Sequence, residues 1–376
     1  MSGAPIERPN APTEDHNDEE MPRVQLGRKW ILLGLVFVVA LVAFLYYGLP
    51  QLAGLEDTWH RIEQGDPWWL ALAAAFAIGS FAGYVVLFHG VYNDADAGVQ
   101  LSLKESYQVT MAALAATRVF AAGGAGGIAL TAWAMRRAGM DRRTVADRTI
   151  TFLVLTYVVY TTALVVFGYG LRLGIFEGRN TFALTVIPAT FALVAMIVTL
   201  LLALTPPDLQ RRLTGYAERH GRIGRVASKL ATLPAAWSAG VRQAIAMVRR
   251  RNPAIIGSIA FWGLNVAVLW ASFRAFGVAP PWAVLTMAYF VGMLGNLLPL
   301  PGGVGGVDGG MIGALIAFGV DGGLAVVAVL TYRAFAFWLP TIPGAIAFFQ
   351  LQRTVARWRE ERRGERGRRA AAVARA

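Results

Sequence analysis

The sequence predicts an all-α, polytopic membrane protein with about six full spans and two glycine-broken, re-entrant hairpins arranged as inverted repeats. Three observations predict this fold. Of the 376 residues, 56% are hydrophobic and 15% charged, and the mean hydropathy is +0.49, whereas soluble domains carry about a quarter charged residues. Six apolar runs reach the length of about 20 residues that crosses a bilayer. Two glycine-rich segments of closely similar sequence recur in the two halves of the chain.

The six apolar runs define the predicted spans. The first run, Trp30–Leu49, follows an acidic, proline-containing segment, residues 1–27, whose composition predicts a disordered cytoplasmic tail. No small-residue cleavage site follows this run, so we interpret it as a membrane anchor rather than a removed signal peptide. The other five runs are Trp68–Val91, Thr149–Leu171, Thr181–Leu204, Ala254–Phe276 and Leu324–Gln350.

The two glycine-rich segments, Ala122–Ile128 and Pro301–Val307, lie near the middle of the apolar regions 101–135 and 282–318. Each region is long for one crossing, and its halves are short for two. We therefore expect two broken hairpins, since non-helical backbone at membrane depth is tolerated where protein or a wet cavity surrounds it. Matched breaks in two halves are typical of the binding site of a repeat-built transporter.

Lysine and arginine predict the orientation. With a cytoplasmic N-terminus, 28 of these residues from Arg23 onwards fall in cytoplasmic segments and only Arg61, Arg172 and Arg179 in outer loops. This bias predicts a multi-pass protein of the cell (cytoplasmic) membrane with both termini inside. The halves are then inverted, because one hairpin enters from the cytoplasm and the other from outside. The chain divides into a tail (1–27), a first membrane half (28–204), a basic segment (205–253), a second membrane half (254–350) and a basic tail (351–376).

The basic segment 205–253 has two interpretations. Its apolar residues recur at helical spacing with arginines between them, which is typical of amphipathic helices on an anionic leaflet. It could equally be a solvated connector that follows the positive-inside bias.

Ionisable residues within apolar segments are the candidates for function, because burying them in a membrane is costly. Arg118 precedes the first glycine cluster, Asp308 follows the second, and Arg333 lies in the last span. An arginine beside the N-terminus of a half-helix could bind a phosphate. Asp308 could instead pair with Arg118 or Arg333 and hold the repeats together. The predicted substrate-binding residues are Arg118, Gly123, Gly124, Gly126, Gly127, Asn296, Pro301, Gly302, Gly303, Gly305, Asp308 and Arg333.

The glycines also have a purely structural interpretation. Gly305, Gly309 and Gly313 recur every four residues, and such small-residue faces let membrane helices pack closely.

The sequence favours neither a metal site nor a soluble enzyme. It contains no cysteine and only four scattered histidines, and it has none of the motifs GxSxG, GxxxxGK[ST] or HExxH. We therefore expect no cofactor, no metal, no nucleic-acid partner and no catalytic residue.

The segment Asn296–Asp308 resembles the proline–glycine signature of the lysylphosphatidylglycerol synthase transmembrane-region family, also called flippase-like or UPF0104 membrane proteins. Tyr332–Pro340 and Gly123–Gly139 resemble two further segments of that family. The resemblance covers roughly residues 30–350 and implies the handling of lipids across the cytoplasmic membrane. The chain departs from the family pattern at Ala122, Gly127 and Asp308, where a proline and two glutamates are usual.

The residues and the resemblance together predict translocation of an anionic lipid, or of a lipid-linked intermediate, between leaflets. The alternative is a non-transporting membrane subunit that docks a glycosyltransferase or lipid-modifying enzyme on its basic face. A third possibility is an intramembrane transferase with Asp308 as its base. The expected partners are anionic membrane lipids and such an enzyme.

Overall fold

The computed structural model describes residues 65–94, 98–119, 125–203, 237–297, 303 and 305–373. These ranges hold helices and their connections, with no strand among them. The predicted anchor Trp30–Leu49 lies outside the described residues. In chain order, the helices are α1 (Pro67–Tyr92), α2 (Leu103–Val119), α3 (Ala125–Ala138), α4 (Arg142–Arg172), α5 (Phe182–Ala203), α6 (237–249), α7 (Ala254–Phe276), α8 (Trp282–Met293), α9 (Gly306–Ala317), α10 (Gly322–Arg333) and α11 (Thr341–Val373).

Five of the described helices are long and apolar enough to cross a membrane. They are α1, α4, α5, α7 and a continuous helix that runs from Gly322 to Arg362 through α10 and α11. These helices coincide with five of the six predicted spans. They also extend past the apolar runs, since α4 begins at Arg142 and α11 continues to Val373.

Contacts between helix ends divide the bundle into two ends. At the first, which we name the basic end, Asn252 donates to the carbonyl of Gly90, and Glu105 accepts from the indole of Trp358. At the second, the opposite end, the backbone N–H of Asp66 donates to the carbonyl of Ala275. The spanning helices therefore alternate in direction through the bundle.

Both broken regions form pairs of short helices, and the re-entrant form expected for them stays a prediction. Hairpin 1 (α2 and α3) begins beside Trp358 and ends at Gly139, where an added Cβ would lie 3.6 Å from the guanidinium of Arg362. Both its ends therefore lie at the basic end. Hairpin 2 (α8 and α9) ends at the opposite end, where Thr181 donates to the carbonyl of Ala317. Arms of 12 to 17 residues rise about 18–26 Å, less than the roughly 30 Å of a bilayer core.

The turns that follow the two hairpins, after α3 and after α9, have the same geometry. Gly139 (φ 111°) and Gly319 (φ 92°) end α3 and α9 in left-handed conformations, and the next residue donates to the carbonyl five residues earlier. This is the Schellman motif, which favours glycine because it carries no Cβ. Two residues later, Asp141 and Asp321 cap α4 and α10 through their carboxylates. The repeated Gly-x-Asp sequence therefore encodes one turn at both ends of the bundle.

The two halves pack reciprocally. Helix α2 of hairpin 1 lies along α11 of the second half, while α8 of hairpin 2 lies along α4 of the first half. The largest contact joins α1 to α7, the first spanning helix of each described half. Exchanged contacts of this kind follow from an inverted repeat, because each hairpin is buried by the other half.

The contact between α1 and α7 is a close backbone crossing. A Cβ added at Gly83 would lie 2.9 Å from the carbonyl oxygen of Gly257, and one at Gly257 would lie 2.5 Å from the backbone nitrogen of Leu87. Beside this crossing, the amide of Asn265 donates to the Ser80 hydroxyl at 2.5 Å. Small residues and buried polar contacts are the main means of association between membrane helices.

The basic end is held by ion pairs. The guanidinium of Arg148, 2% exposed, lies 3.1 Å from Asp94, which also accepts from Gln243 of α6. The described part of the basic segment, α6, buries Val241, Ala244 and Met247 within the bundle. The prediction that this segment places its apolar face on a leaflet is therefore wrong for α6, because α4 and α1 cover that face. Residues 204–236 lie outside the described residues.

Single-cysteine labelling tests the hairpin geometry, since the chain has no native cysteine. We expect Ser102→Cys and Arg143→Cys, which flank hairpin 1, to react with an impermeant maleimide from the same side of the membrane. Val278→Cys and Val320→Cys, which flank hairpin 2, should react from the other side. Labelling of Ser102→Cys and Arg143→Cys from opposite sides would contradict a re-entrant hairpin 1.

Candidate functional site

The two hairpins meet the last spanning helix at a π-helical turn, Ala334–Trp338, which separates α10 from α11. Within it, the N–H of Leu339 donates to the carbonyl of Ala334, five residues earlier. A π turn widens the helix and frees carbonyl groups, and such turns are frequent at functional sites. Arg333 immediately precedes this turn.

Hairpin 2 contributes a buried carboxylate. Asp308 is 2% exposed, and its Oδ1 lies 2.5 Å from the Nε of Arg333, which is itself 7% exposed. The other oxygen, Oδ2, accepts from the backbone N–H of Gly305 at 2.9 Å and so caps α9. The Oδ1 contact is an ion pair without the alignment of a hydrogen bond. Both charges are thus compensated, and the positively polarised N-terminus of α9 already holds an anion.

Hairpin 1 contributes a cation. From the last turn of α2, Arg118 donates to the hydroxyl of Thr341 at 2.8 Å and to the carbonyl of Ala336 at 3.2 Å. Its guanidinium carbon lies 4.8 Å from the centre of the Phe337 ring, and that of Arg333 lies 4.4 Å from the same centre. Two guanidinium groups, one from each half, therefore share one aromatic ring at the π turn.

The charges of this cluster do not cancel. Asp308 pairs with Arg333, while Arg118 has no carboxylate within ion-pair distance among the described residues. Of the two predicted partners for Asp308, the structure selects Arg333. Because both residues belong to the second half, their ion pair joins hairpin 2 to its own span and does not hold the repeats together. The link between the halves comes from Arg118, which bonds to Thr341 and Ala336 of the second half. Two arginines and one aspartate leave this cluster with a net charge of about +1.

The glycine clusters are described in part. Gly123, Gly124, Pro301 and Gly302 lie outside the described residues. Gly127 is buried where the arms of hairpin 1 cross, and an added Cβ would lie 2.7 Å from the carbonyl oxygen of Ala113. Packing therefore accounts for Gly127. Gly126, next to it in the first turn of α3, is half-buried.

The second cluster needs its glycines for backbone geometry. Gly303 (φ 65°) and Gly305 (φ 83°) are left-handed, and a Cβ at Gly303 would collide with the side chain of Asn296. Asn296 itself lies in the 3₁₀ turn that ends α8. Gly309 and Gly313 have no neighbour within 4 Å of an added Cβ in the described part of the chain. The small-residue face of α9 thus packs against no described helix.

A lateral groove adjoins this cluster. It has a volume of about 640 Å³ and lies between α1 and the segment 335–343, with Tyr107 and Met111 of α2 at its side. Its walls are almost entirely apolar, and Ile78 and Ile342 on its rim are 68% and 65% exposed. Phe81 lines the groove and also lies under the Arg118 guanidinium, 5.8 Å from its carbon. An apolar channel open to the bilayer thus ends beside the cation.

Sequence reasoning missed the uncharged partners in this site. Phe81, Phe337 and Thr341 fix the position of Arg118, yet each looks like an ordinary residue of a span. The only sequence signal was the Arg–aromatic pattern of Tyr332–Trp338. A π turn has no hydropathy signature, because it alters hydrogen bonding without altering composition.

The Asp308–Arg333 pair can be tested by a double-mutant cycle on stability. Asp308→Asn or Arg333→Met should each lower the free energy of unfolding by roughly 3–5 kcal/mol, because each leaves an uncompensated buried charge. The double variant should lose less than either single variant. Chemical unfolding of the full chain in detergent measures this, with Arg274→Met, an exposed arginine stacked on Trp69, as the control. Additive losses would show that the two residues do not interact.

Comparison with known proteins places the chain in a family. Residues 31–344 match the family described as Lysylphosphatidylglycerol synthase TM region. Curated relatives described as UPF0104 membrane protein, from Methanothermobacter thermautotrophicus, are 30% identical over 165 residues, 36% over 91 and 30% over 105. These alignments cover 41%, 24% and 27% of this chain and 49%, 26% and 31% of the relatives, so the chain spans about half the length of the curated relatives it matches, or less. Since the family match extends over most of the chain, the protein belongs to the lysylphosphatidylglycerol synthase transmembrane-region family of integral membrane proteins.

Proposed function

We propose that the protein moves an anionic lipid, or a lipid-linked intermediate, between the leaflets of the cell membrane. The observation that carries the proposal is Arg118, a cation of hairpin 1 without a described carboxylate partner, held against the last spanning helix at the end of an apolar groove. A phosphate that reached this position would gain a charge-assisted, bidentate contact. The hydrocarbon chains would stay in the groove and the bilayer.

The inverted hairpins support a path across the membrane. Each hairpin reaches inward from one end, and both contact the helix that carries the π turn. Substrate sites at such repeat interfaces lie near the bilayer midplane, and exchange of access follows from movement of one repeat against the other. The proposed site comprises the residues predicted from sequence apart from Gly127, which packing explains. Arg118 is the direct phosphate ligand, and the Asp308–Arg333 pair is its fixed neighbour.

The proposed orientation places the basic end in the cytoplasm. Arg136, Arg143, Arg249 and Arg359 are among the arginines at or beyond that end, and the positive-inside rule assigns such an end to the cytoplasmic side. Both termini are then cytoplasmic, because the predicted anchor adds one crossing before α1.

The intramembrane transferase is the weakest alternative. A general base needs a carboxylate oxygen that can accept a proton from the substrate. In Asp308, one oxygen faces Arg333 and the other caps α9.

One observation favours the scaffold as a second candidate. Helix α11 continues past the last span to Val373 and carries exposed arginines such as Arg353, Arg359 and Arg368. A basic helix that projects from the membrane end could dock an acidic partner, such as a lipid-modifying enzyme or a glycosyltransferase, or an anionic leaflet.

Removal of the Arg118 guanidinium tests the transport proposal. We expect Arg118→Ala to reduce leaflet exchange of an anionic lipid in proteoliposomes by at least about tenfold, since a charge-assisted contact contributes about 1.5–3 kcal/mol. Arg118→Lys should rescue only part of the rate, because lysine cannot form the bidentate contact. Arg274→Ala, which removes an exposed arginine stacked on Trp69, is the matched control and should transport normally. Full activity of Arg118→Ala would refute the phosphate role.

A pair of variants separates the transporter from the scaffold. Gly303→Leu should stop lipid exchange, because position 303 is left-handed and faces Asn296 and Val307, yet it should leave co-purifying proteins unchanged. The triple variant Arg353→Gln, Arg359→Gln and Arg368→Gln should do the reverse, weakening surface attachment by about 1 kcal/mol per charge. If the glycine variant transports normally and the arginine variant loses all function, the scaffold is the correct interpretation.

A further inference from the structure

A second cavity, of about 180 Å³, lies within the first half and has a different chemistry from the lateral groove. It is enclosed by α1, both arms of hairpin 1 and α4. Hydroxyl-bearing side chains dominate its polar lining; six of them are Tyr84, Tyr92, Tyr157, Thr110, Thr117 and Thr131. We name this cavity the hydroxyl pocket. Its volume corresponds to roughly six water molecules, which is the size of a small polyol or of one sugar ring.

The hydroxyls of this pocket have donor and acceptor positions that described residues do not use. Thr110 and Thr117 donate to carbonyls of their own helix at 2.7 and 2.9 Å, so their oxygens can still accept. The hydroxyls of Tyr84, Tyr157 and Thr131 make no hydrogen bond with any described residue. Thr131 is 9% exposed, and its hydroxyl is not among the fully buried atoms that lack a hydrogen-bond partner, so it is accessible to water or to a ligand in the pocket. The pocket therefore presents both donors and acceptors that water or a ligand must satisfy.

The lining also restricts the charge of that ligand. None of the described lining residues is a carboxylate or a basic side chain. A cationic group, such as an amine, would lose its hydration without gaining a counter-charge, which disfavours it strongly. An uncharged group with several hydroxyls would exchange water contacts for the tyrosine and threonine contacts at little net cost. The rings of Tyr84, Phe88 and Phe152 add apolar faces against which a sugar or glycerol carbon skeleton can pack.

The position of the pocket connects it to the proposed transport site. Thr117, which lines it, directly precedes Arg118 in α2. On the outside, Ile128 and Tyr157 are 42% and 52% exposed, so the pocket opens sideways between α3 and α4. Because both cavities adjoin α1 and α2, a lipid whose chains lie in the lateral groove and whose phosphate lies at Arg118 could place the end of its head group in the hydroxyl pocket.

We infer that the hydroxyl pocket binds an uncharged polyol or sugar unit at the end of the head group of a phosphate-bearing lipid. This inference rests on the proposed function, because it narrows the class of the lipid that the protein handles. It selects, among anionic lipids, those whose phosphate carries a hydroxylated substituent.

Three lipids with the same charge and the same chains test the inference. The full-length protein in detergent would be titrated with phosphatidylmethanol, phosphatidylglycerol and phosphatidylinositol, and the dissociation constants read by native mass spectrometry. We expect the two hydroxylated lipids to bind at least about fivefold more tightly than phosphatidylmethanol, which is the effect of one net hydrogen bond. Equal binding of all three lipids would overturn the inference.

Isosteric variants connect the preference to the pocket. Tyr84→Phe, Tyr157→Phe and Thr131→Val each remove one hydroxyl that has no described partner, so the fold should be retained. In the triple variant, the three lipids should bind with about equal dissociation constants, and the affinity for phosphatidylmethanol should not change. Tyr169→Phe is the matched control, because the hydroxyl of Tyr169 bonds to Thr190 away from the pocket, and it should keep the preference. A preference that survives the triple variant would place the selecting groups elsewhere and refute the proposal.

Two further measurements distinguish failure of this inference from failure of the proposed function. Free glycerol and free inositol should compete only weakly, since the phosphate and chains supply most of the affinity; competition as strong as that of the lipids would overturn a lipid head group as the ligand. Leaflet exchange that depends on Arg118 but shows no head-group preference would refute this inference and leave the proposed function intact. If no anionic lipid binds or moves, the proposed function itself fails.

Discussion

The close crossing of α1 and α7 is the contact on which the rest of the bundle depends. Apolar side chains gain little by leaving lipid for protein, so membrane helices associate through backbone proximity and buried polar contacts. Gly83 and Gly257 supply the first, and Asn265 with Ser80 supplies the second. This crossing brings the halves together in opposite directions, and each hairpin can then be buried by the other half. A broken hairpin in lipid alone would expose unpaired backbone groups at a cost of several kcal/mol each.

Among the described residues, the same architecture leaves Arg118 half-buried with no carboxylate within ion-pair distance. Insertion of an arginine at the centre of a membrane helix costs about 2.5–3.5 kcal/mol. The contacts of Arg118 with Thr341, Ala336 and the Phe337 ring are of the same order, since a hydrogen bond to a charged group contributes about 1.5–3 kcal/mol. Arg118 is therefore tolerated without being neutralised. Arg333, by contrast, is compensated by Asp308. In the proposed function, this difference between two arginines on one ring is what favours an anionic substrate.

The sequence predicts much of the fold and less of the site, for identifiable reasons. Hydropathy depends on the length and polarity of a segment, so the five described spans and the short hairpin arms were predictable. The Gly-x-Asp turns were predictable because their geometry is local. Contacts between helices distant in sequence were not predictable. Nothing in the local sequence indicates that Arg118 contacts α11, more than 200 positions away along the chain. Helix α6 shows the same limit: its amphipathic pattern indicated a buried face, but not whether lipid or α4 covers it.

The π turn explains how two fixed hairpins could still allow movement. A π turn differs from α-helix by one residue of register, so the helix can change its hydrogen bonding there at modest cost. The carbonyl of Ala336 currently accepts from Arg118. An arriving phosphate would compete for that guanidinium, and the released carbonyl would then need a new partner within the helix. In the proposed function, substrate binding is thereby coupled to helix geometry through Arg118 of the first half, which acts on a turn of the second half. A lipid with no anionic group would offer Arg118 no such exchange, so the proposed coupling would discriminate by charge.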